Sequence, residues 1–195
     1  MTDKNAGYLA THEMRVFSHE KKMAMRDQIL QHVIHLVRDQ YGCIALNAII
    51  SEVVFDYCRN DLHDVVAFNT PLLSSDAYGN HVVRHVLKQN NLRRTYDIAV
   101  SLRGHYVELS FTRYGSRIVE KLLERKETGP LVVAELLECG RDKLRRLTNF
   151  VVETSLKVTP EDLYRALVNK LKPFLPQLRR STYGTNIAEI LESIR

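Results

Sequence analysis

Apolar residues recur along the chain in blocks that share one spacing. Four blocks follow a Tyr-Gly dipeptide, in YGCIALNAII, YGNHVVRHVL, YGSRIVEKLL and YGTNIAEILE, and a fifth, LTNFVVETSL, has the same pattern without Tyr-Gly. We call the residue after Tyr-Gly the anchor of its repeat. The anchors are Cys43, Asn80, Ser116, Asn149 and Thr185, which lie 37, 36, 33 and 36 residues apart. The chain is therefore built from an internal repeat of about 36 residues.

Within each repeat the apolar residues have helical spacing. They stand two, three, six and seven positions after the anchor, as in Ala45, Leu46, Ile49 and Ile50. Side chains three and four positions apart share one face of a helix, whereas strand residues alternate. A leucine and an amphipathic stretch precede each of these anchor helices. The amphipathic stretches cover 24–37, 61–68, 95–102, 131–146 and 161–171.

Each repeat is then a helical hairpin whose apolar stripe is buried only when neighbouring repeats stack. The sequence predicts an all-α repeat domain over residues 21–195, and only 13 of its 195 residues are Gly or Pro, which suits helices. In the last repeat Glu192 replaces an apolar residue, as expected for a cap that faces water. Residues 1–20 show no repeat and are predicted to be a frayed or atypical lead-in.

Three positions of each anchor helix are predicted to point away from the core: the anchor, the next residue and the residue four after the anchor. Most residues at the first and third positions can form hydrogen bonds, and the second position holds a planar group in His81, Arg117 and Phe150. Planar groups between polar pairs suit splayed nucleobases, which stack on the former and bond to the latter. The triplets are Cys43, Ile44 and Asn47; Asn80, His81 and Arg84; Ser116, Arg117 and Glu120; Asn149, Phe150 and Glu153; and Thr185, Asn186 and Glu189.

Charge is distributed unevenly along the chain. The formal net charge is +5, with −3 over residues 1–83 and +8 over residues 84–195. A basic half favours a polyanionic partner. A solvated basic surface explains the same excess equally well, so charge alone does not decide between the two.

Other chemistry has little support in the sequence. The three cysteines show no CxxC spacing, so neither a disulfide framework nor a zinc site is indicated, and a reducing, cytoplasmic location is expected. No apolar run is long enough to span a membrane, and the first residues lack a signal-peptide pattern. His81 and His85 lack a third metal ligand, and Glu120 and Glu153 lack a nucleophile or a glycine-rich loop. We expect no metal, no cofactor and no enzymatic activity.

The Tyr-Gly helices with these triplets resemble the Pumilio (PUF) family over about residues 24–195. The tail KLKPFLPQLRRSTYGTNIAEILE is similar to the last full repeat and the C-terminal half-repeat of that family. The resemblance implies a curved α-solenoid, a right-handed superhelix of four repeats plus a cap, from the C-terminal half of the usual array in a divergent, plant-like member. It also implies a monomer that binds single-stranded mRNA in 3′ untranslated regions and regulates translation or stability, with protein co-regulators on its convex face.

The resemblance further assigns roles to the triplets. Ser116, Arg117 and Glu120 match the guanine-reading triplet of the family in full, with Glu120 accepting from guanine N1 and N2 while Arg117 stacks. The family reads RNA antiparallel to the chain, so the implied target resembles 5′-UGUA-3′. The implied base-binding residues are Cys43, Asn47, Asn80, Arg84, Ser116, Glu120, Asn149 and Glu153, and the implied stacking residues are Ile44, His81, Arg117 and Phe150.

The other triplets depart from the pattern of the family. His81 and Arg84 stand where a uracil reader has Tyr and Gln, and Glu153 also replaces a Gln. Ile44 and Asn47 stand where an adenine reader has Arg and Gln, and the cap triplet is expected to read nothing. These departures favour an alternative function, a protein-binding scaffold of the HEAT or armadillo kind that has lost RNA specificity. The complete Ser116 triplet and the basic C-terminal half favour RNA.

Overall fold

The computed structural model of the chain describes residues 1–52, 56–147, 150–182 and 184–193, and its regular elements there are all helices. It divides into two compact units, Met1–Ser101 and Leu102–Arg195. The first unit contains α1 (Lys4–Val16), α2 (His19–Val37), α3 (Gln40–Glu52), α4 (Asp56–Phe68), α5 (Thr70–Leu73), α6 (Gly79–Lys88) and α7 (Leu92–Ser101). The second unit contains α8 (Tyr106–Ser110), α9 (Gly115–Leu123), α10 (Gly129–Glu138), α11 (Arg141–Arg146), α12 (Phe150–Val158), α13 (Glu161–Leu171), a 3₁₀ helix (Lys172–Phe174), α14 (Leu175–Leu178) and α15 (Gly184–Ser193).

The anchor helices are α3, α6, α9, α12 and α15, and their apolar stripes form the core of each unit. In the first four repeats all four predicted apolar positions are buried. In the last repeat Glu192 is exposed and pairs with Arg179 at 2.6 Å, so this position faces water as predicted. The helical spacing of the sequence therefore identified the core.

The prediction of a two-helix hairpin is incomplete. From the second repeat onward, a third, short helix lies between the long helix and the anchor helix. These short helices, α5, α8, α11 and α14, have four to six residues. Each buries one leucine ahead of the anchor helix: Leu73, Leu109, Leu144 and Leu178. The stretch 131–146, predicted as one helix, is broken at Cys139 and Gly140, whose backbones are both extended. A helix of four to six residues completes little more than one turn, so it leaves too few positions for a helical period to be recognised in the sequence.

The glycine of Tyr-Gly allows the anchor helix to approach the preceding leucine. A Cβ on Gly42 would overlap the carbonyl oxygen of Leu36, and a Cβ on Gly184 would lie 2.5 Å from the carbonyl oxygen of Leu178. In the second repeat the Asp76 carboxylate accepts hydrogen bonds from the backbone N–H groups of Tyr78 and Gly79 at 3.0 and 2.8 Å. The motif therefore marks the point where the chain turns tightly into the anchor helix.

Within the lead-in, which was expected to be frayed or atypical, residues 4–16 form α1, a helix outside the Tyr-Gly repeat. This helix packs against α3 and buries Ala10 and Met14. At Gly7 a Cβ would lie 3.2 Å from the Cβ of Ala45, so the two helices are in close contact. No repeat signal marks α1 in the sequence, because this helix lacks the Tyr-Gly motif. It nevertheless packs on the first anchor helix, α3, which also contacts α6.

Two further findings bear on the function classes considered above. None of the helices in the described ranges is long and apolar enough to cross a membrane. In those same ranges no three His, Cys, Asp or Glu side chains come together as metal ligands, and His85 Nε2 lies 2.8 Å from Ser51 Oγ.

Candidate nucleic-acid interface

Anchor helices pack side by side within each unit. In the first unit α3 lies between α1 and α6, and in the second unit α12 lies between α9 and α15. Neighbouring anchor helices are also joined by side chains, since Asn186 Nδ2 on α15 donates to Glu153 Oε2 on α12 at 3.4 Å. Each unit therefore presents a row of equivalent helix positions.

The third repeat presents its triplet to solvent. Arg117 is exposed, and Ser116 and Glu120 are half-buried on α9. Within the described part of the chain no side chain donates a hydrogen bond to the Glu120 carboxylate, and no cation pairs with it. An ionised carboxylate has only acceptor sites, so Glu120 is able to receive two adjacent N–H donors from a ligand. The planar guanidinium of Arg117 precedes it and is able to stack on the same ligand.

The fourth repeat differs, because its carboxylate already has partners. Phe150 is 61% exposed at the second position of the triplet. The Glu153 side chain is only 14% exposed and accepts from Lys157 Nζ at 2.6 Å as well as from Asn186. The hydrogen bond from Lys157 holds the pKa of the Glu153 carboxyl below its usual range. Asn149, the predicted anchor of this repeat, lies outside the described residues.

Replacing Lys157 with methionine is expected to raise the pKa of Glu153 toward the ordinary value of a glutamate, because the charge-assisted hydrogen bond is lost. An NMR titration that follows the Glu153 side-chain carboxyl carbon would measure the shift. Lys121→Met is the matched control, since Lys121 lies on α9 and not on α12, and it pairs with Glu124 at the end of α9. An unchanged Glu153 pKa in Lys157→Met would show that this ion pair does not hold the carboxylate.

The second repeat hides its anchor. His81 is exposed and Arg84 half-buried, but Asn80 is fully buried at 0% exposure. Its amide Nδ2 donates to the carbonyl oxygens of Asp76 and Ala77 at 2.8 and 2.9 Å. The structure therefore places Asn80 under the surface and not at the outward position predicted for it. The short side chain folds back because it satisfies two carbonyls of the turn before its own helix.

The first repeat shows the same inward anchor. Cys43 is buried, its thiol donates to the carbonyl oxygen of Gln40 at 3.2 Å, and burial raises the pKa of that thiol. Asn47 is half-buried, whereas Ile44 is 60% exposed. The second position is thus exposed in every described triplet, and the anchor is buried in the first two repeats. A helical wheel missed this difference because it takes no account of the turn before the anchor, to whose carbonyl oxygens Cys43 and Asn80 both donate.

Sequence reasoning also missed a cleft beside Ile44. It has a volume of about 540 Å³ and lies between α1 and α3. Its described lining residues are Asn5, Gly7, Tyr8, Thr11, His12, Arg15, Tyr41, Ile44, Ala45 and Ala48. The sequence signal for it is weak, a short apolar run with one tyrosine over 6–10, which has no counterpart among the Tyr-Gly segments.

Known proteins contain similar repeats. Residues 32–59, 69–93 and 105–126 match the model of the Pumilio-family RNA binding repeat. The chain is 49% identical over 205 residues to putative pumilio homolog 20 and 48% identical over 202 residues to pumilio homolog 18, both from Arabidopsis thaliana. Both alignments cover 100% of the chain, which spans 60% and 62% of the length of these two relatives.

Solved structures share the fold. The Puf4 RNA-binding domain, bound to the HO endonuclease RNA 3′ UTR recognition sequence, has a TM-score of 0.84 and 22% identity, covering 97% of this chain and 62% of that one. The RNA-binding domain of yeast Puf5p, bound to SMX2 RNA, has a TM-score of 0.83 and 16% identity, covering 100% of this chain and 57% of that one. At this level of identity the likeness shows the fold alone, and the α-solenoid class expected from the sequence is confirmed.

Proposed function

The chain belongs to the Pumilio family of helical-repeat proteins, and we propose from this that it binds single-stranded RNA with selectivity for a guanine. One observation carries the proposal: among the described residues none engages the half-buried carboxylate of Glu120, which lies on α9 three positions after the exposed Arg117. The likeness to Puf domains whose structures contain 3′ UTR sequences supports the same class of ligand.

The chemistry of the base edges explains why guanine fits. Guanine presents N1–H and N2–H groups side by side, and a carboxylate is able to accept from both. Adenine presents an unprotonated N1 in the same place, which would face the negative charge of Glu120 without a proton between them. Arg117 would stack on either base, because every base has a π-face. Selectivity at this position therefore depends on Glu120 and affinity on both residues.

We propose a target that resembles UGUA, in which the guanine is the most strongly selected base. The anchors Cys43 and Asn80 are buried, and Glu153 is bonded to Lys157 and Asn186. Cys43, Asn80 and Glu153 therefore present fewer accessible hydrogen-bonding groups to a base than Ser116 and Glu120 do. The biological role that goes with this target is regulation of mRNA translation or stability through 3′ untranslated regions in the cytoplasm, by a monomer that recruits protein co-regulators.

The wild-type chain is expected to bind a short UGUA-containing RNA more tightly than the same RNA with UAUA. Titrations of both RNAs at two salt concentrations measure this, because phosphate contacts weaken with salt while base selectivity persists. Equal affinity for the two RNAs at both salt concentrations would leave only sequence-blind phosphate binding.

A second candidate function is a protein-binding scaffold. It is favoured by the burial of Cys43 and Asn80, which removes polar groups from the surface where bases would bind in the first unit. The same pair of titrations separates the two candidates, since a scaffold would not discriminate between UGUA and UAUA.

A further inference from the structure

The carboxylate of the fourth repeat is flanked by two hydrogen-bond donors from two different helices. Lys157, one turn after Glu153 on α12, donates to Glu153 Oε1 at 2.6 Å. Asn186, on the neighbouring helix α15, donates to Glu153 Oε2 at 3.4 Å. Because the two donors bond different oxygens, the carboxylate lies between them.

These three side chains keep hydrogen-bonding capacity for a ligand. The bond from Lys157 and, to a smaller extent, the bond from Asn186 lower the pKa of the Glu153 carboxyl, so the group is ionised and only accepts. An ammonium group has three N–H donors and a primary amide has two, so Lys157 and Asn186 each retain a donor after bonding Glu153. The Lys157 side chain is 59% exposed, and Asn186 is exposed as well. A ligand at this position therefore meets a donor, an acceptor and a donor, in that order.

This order of groups matches the Watson–Crick edge of uracil. Uracil presents the O4 carbonyl, the N3–H group and the O2 carbonyl, which accept, donate and accept. Guanine presents O6, N1–H and N2–H, so one of its donors would face a donor of the protein. Adenine and cytosine have an unprotonated ring nitrogen at the centre of this edge, which would face the carboxylate without a proton between them. Uracil is therefore the base that satisfies all three groups, and an unsatisfied polar group is costly when it is shielded from water.

The third repeat has neither donor at the equivalent positions. Glu124 occupies the position of Lys157, one turn after Glu120, and it is acidic. Phe150 occupies the position of Asn186, the second residue of the next triplet, and its side chain has no hydrogen-bond donor. The glutamates of the third and fourth repeats are equivalent in their triplets but differ in these neighbours. They are therefore not expected to select the same base.

We propose that Lys157 and Asn186 make the fourth repeat selective for uracil, because they place the Glu153 carboxylate at the centre of a donor–acceptor–donor edge. Neither residue belongs to the triplet of the fourth repeat. The inference rests on the proposed function, in which Glu120 selects the guanine. Because α12 packs directly against α9, the uracil is the base next to that guanine in the RNA.

The test measures the affinity of the full chain for UGUA, GGUA and UGGA. The last two RNAs replace in turn the uracil on either side of the guanine, so the test does not depend on the direction of the strand. The wild type should bind at least one of them roughly tenfold more weakly than UGUA. Lys157→Met and Asn186→Ala each remove one donor and uncover one carboxylate oxygen, so uracil loses a bond and guanine gains one. Each variant should lower the preference for uracil roughly tenfold, and the double variant should prefer guanine at that position.

Arg165→Met is the matched control. Arg165 forms an ion pair of the same spacing with Glu161, at 2.8 Å, but on α13 and not on an anchor helix. This variant also replaces a cation by methionine, so it should leave the base preferences of the wild type unchanged.

The outcomes for the fourth repeat and for the proposed function are distinguishable. If the wild type prefers UGUA over UAUA but binds UGUA, GGUA and UGGA equally, the proposed function stands and the inference is wrong. If the preference for uracil persists in the double variant, or is lost equally in Arg165→Met, other groups read the uracil and the inference is again wrong. If the chain shows no preference for UGUA over UAUA, the proposed function fails and the inference fails with it.

Discussion

Replacing Glu120 with glutamine is expected to remove most of the preference of the chain for guanine over adenine. The glutamine amide has about the same shape, but it presents one donor and one acceptor where the carboxylate presents two acceptors. It therefore loses one of the two bonds to guanine and gains a donor for adenine N1. The change should reduce the difference in binding free energy between UGUA and UAUA by on the order of 1–3 kcal/mol.

The measurement is a titration of both RNAs with the wild type and the variant. Glu124→Gln is the control, because Glu124 caps the C-terminal end of the same helix and is engaged by Lys121 at 2.7 Å. It should leave the preference for guanine unchanged. An unaltered preference in Glu120→Gln, or an equal loss in both variants, would show that Glu120 does not read the base.

Replacing Gly42 with alanine should destabilise the chain by about 3 kcal/mol, at the upper end for overpacking. The new methyl group would overlap the carbonyl oxygen of Leu36, and a backbone atom cannot move aside as the end of a flexible side chain can. The first anchor helix would have to shift away from α2. Because α3 carries Ile44 and packs against both α1 and α6, the shift would disturb the core of the first unit.

Chemical denaturation measures the expected loss in the free energy of unfolding. Gly140→Ala is the matched control, since a Cβ at Gly140 would meet no atom within 4 Å and its φ of −60° suits any residue. Alanine is a poorer N-cap than glycine, but it also lowers the conformational entropy of the unfolded chain, and because the two effects oppose each other the net change in stability should be below about 1 kcal/mol. If Gly42→Ala unfolds at the same denaturant concentration as Gly140→Ala, the close approach is not what the Tyr-Gly motif provides.

The sequence predicted those parts of the fold that repeat strongly. Val82, Val83, Val86 and Leu87 recur at helical spacing in the other repeats, and the structure buries all four. Burial of an apolar stripe is a property of several residues at once, so a pattern of residue types reveals it. The short helices went unseen because each has only four to six residues, about one turn, which is too short to show a helical period.

The candidate site was predictable only in part, because its details depend on local hydrogen bonds. Asn80 and Ser116 occupy the same repeat position, yet only Asn80 is buried, as its amide bonds to two carbonyls of the preceding turn. Likewise Glu120 and Glu153 are equivalent in sequence, and only Glu153 has a lysine one turn later that pairs with it. A triplet code assigns a role to each residue from its type alone. It does not include the backbone carbonyls or the lysine with which that residue forms hydrogen bonds.

The central claim is that the Glu120 carboxylate accepts hydrogen bonds from the edge of one guanine. Replacing that guanine with inosine tests it most directly, because inosine lacks only the exocyclic N2 amino group. The wild-type chain should bind the inosine RNA more weakly than UGUA by on the order of 1.5–3 kcal/mol, the value of one hydrogen bond to a charged partner. Equal affinity of the wild type for the guanine and inosine RNAs would contradict the account.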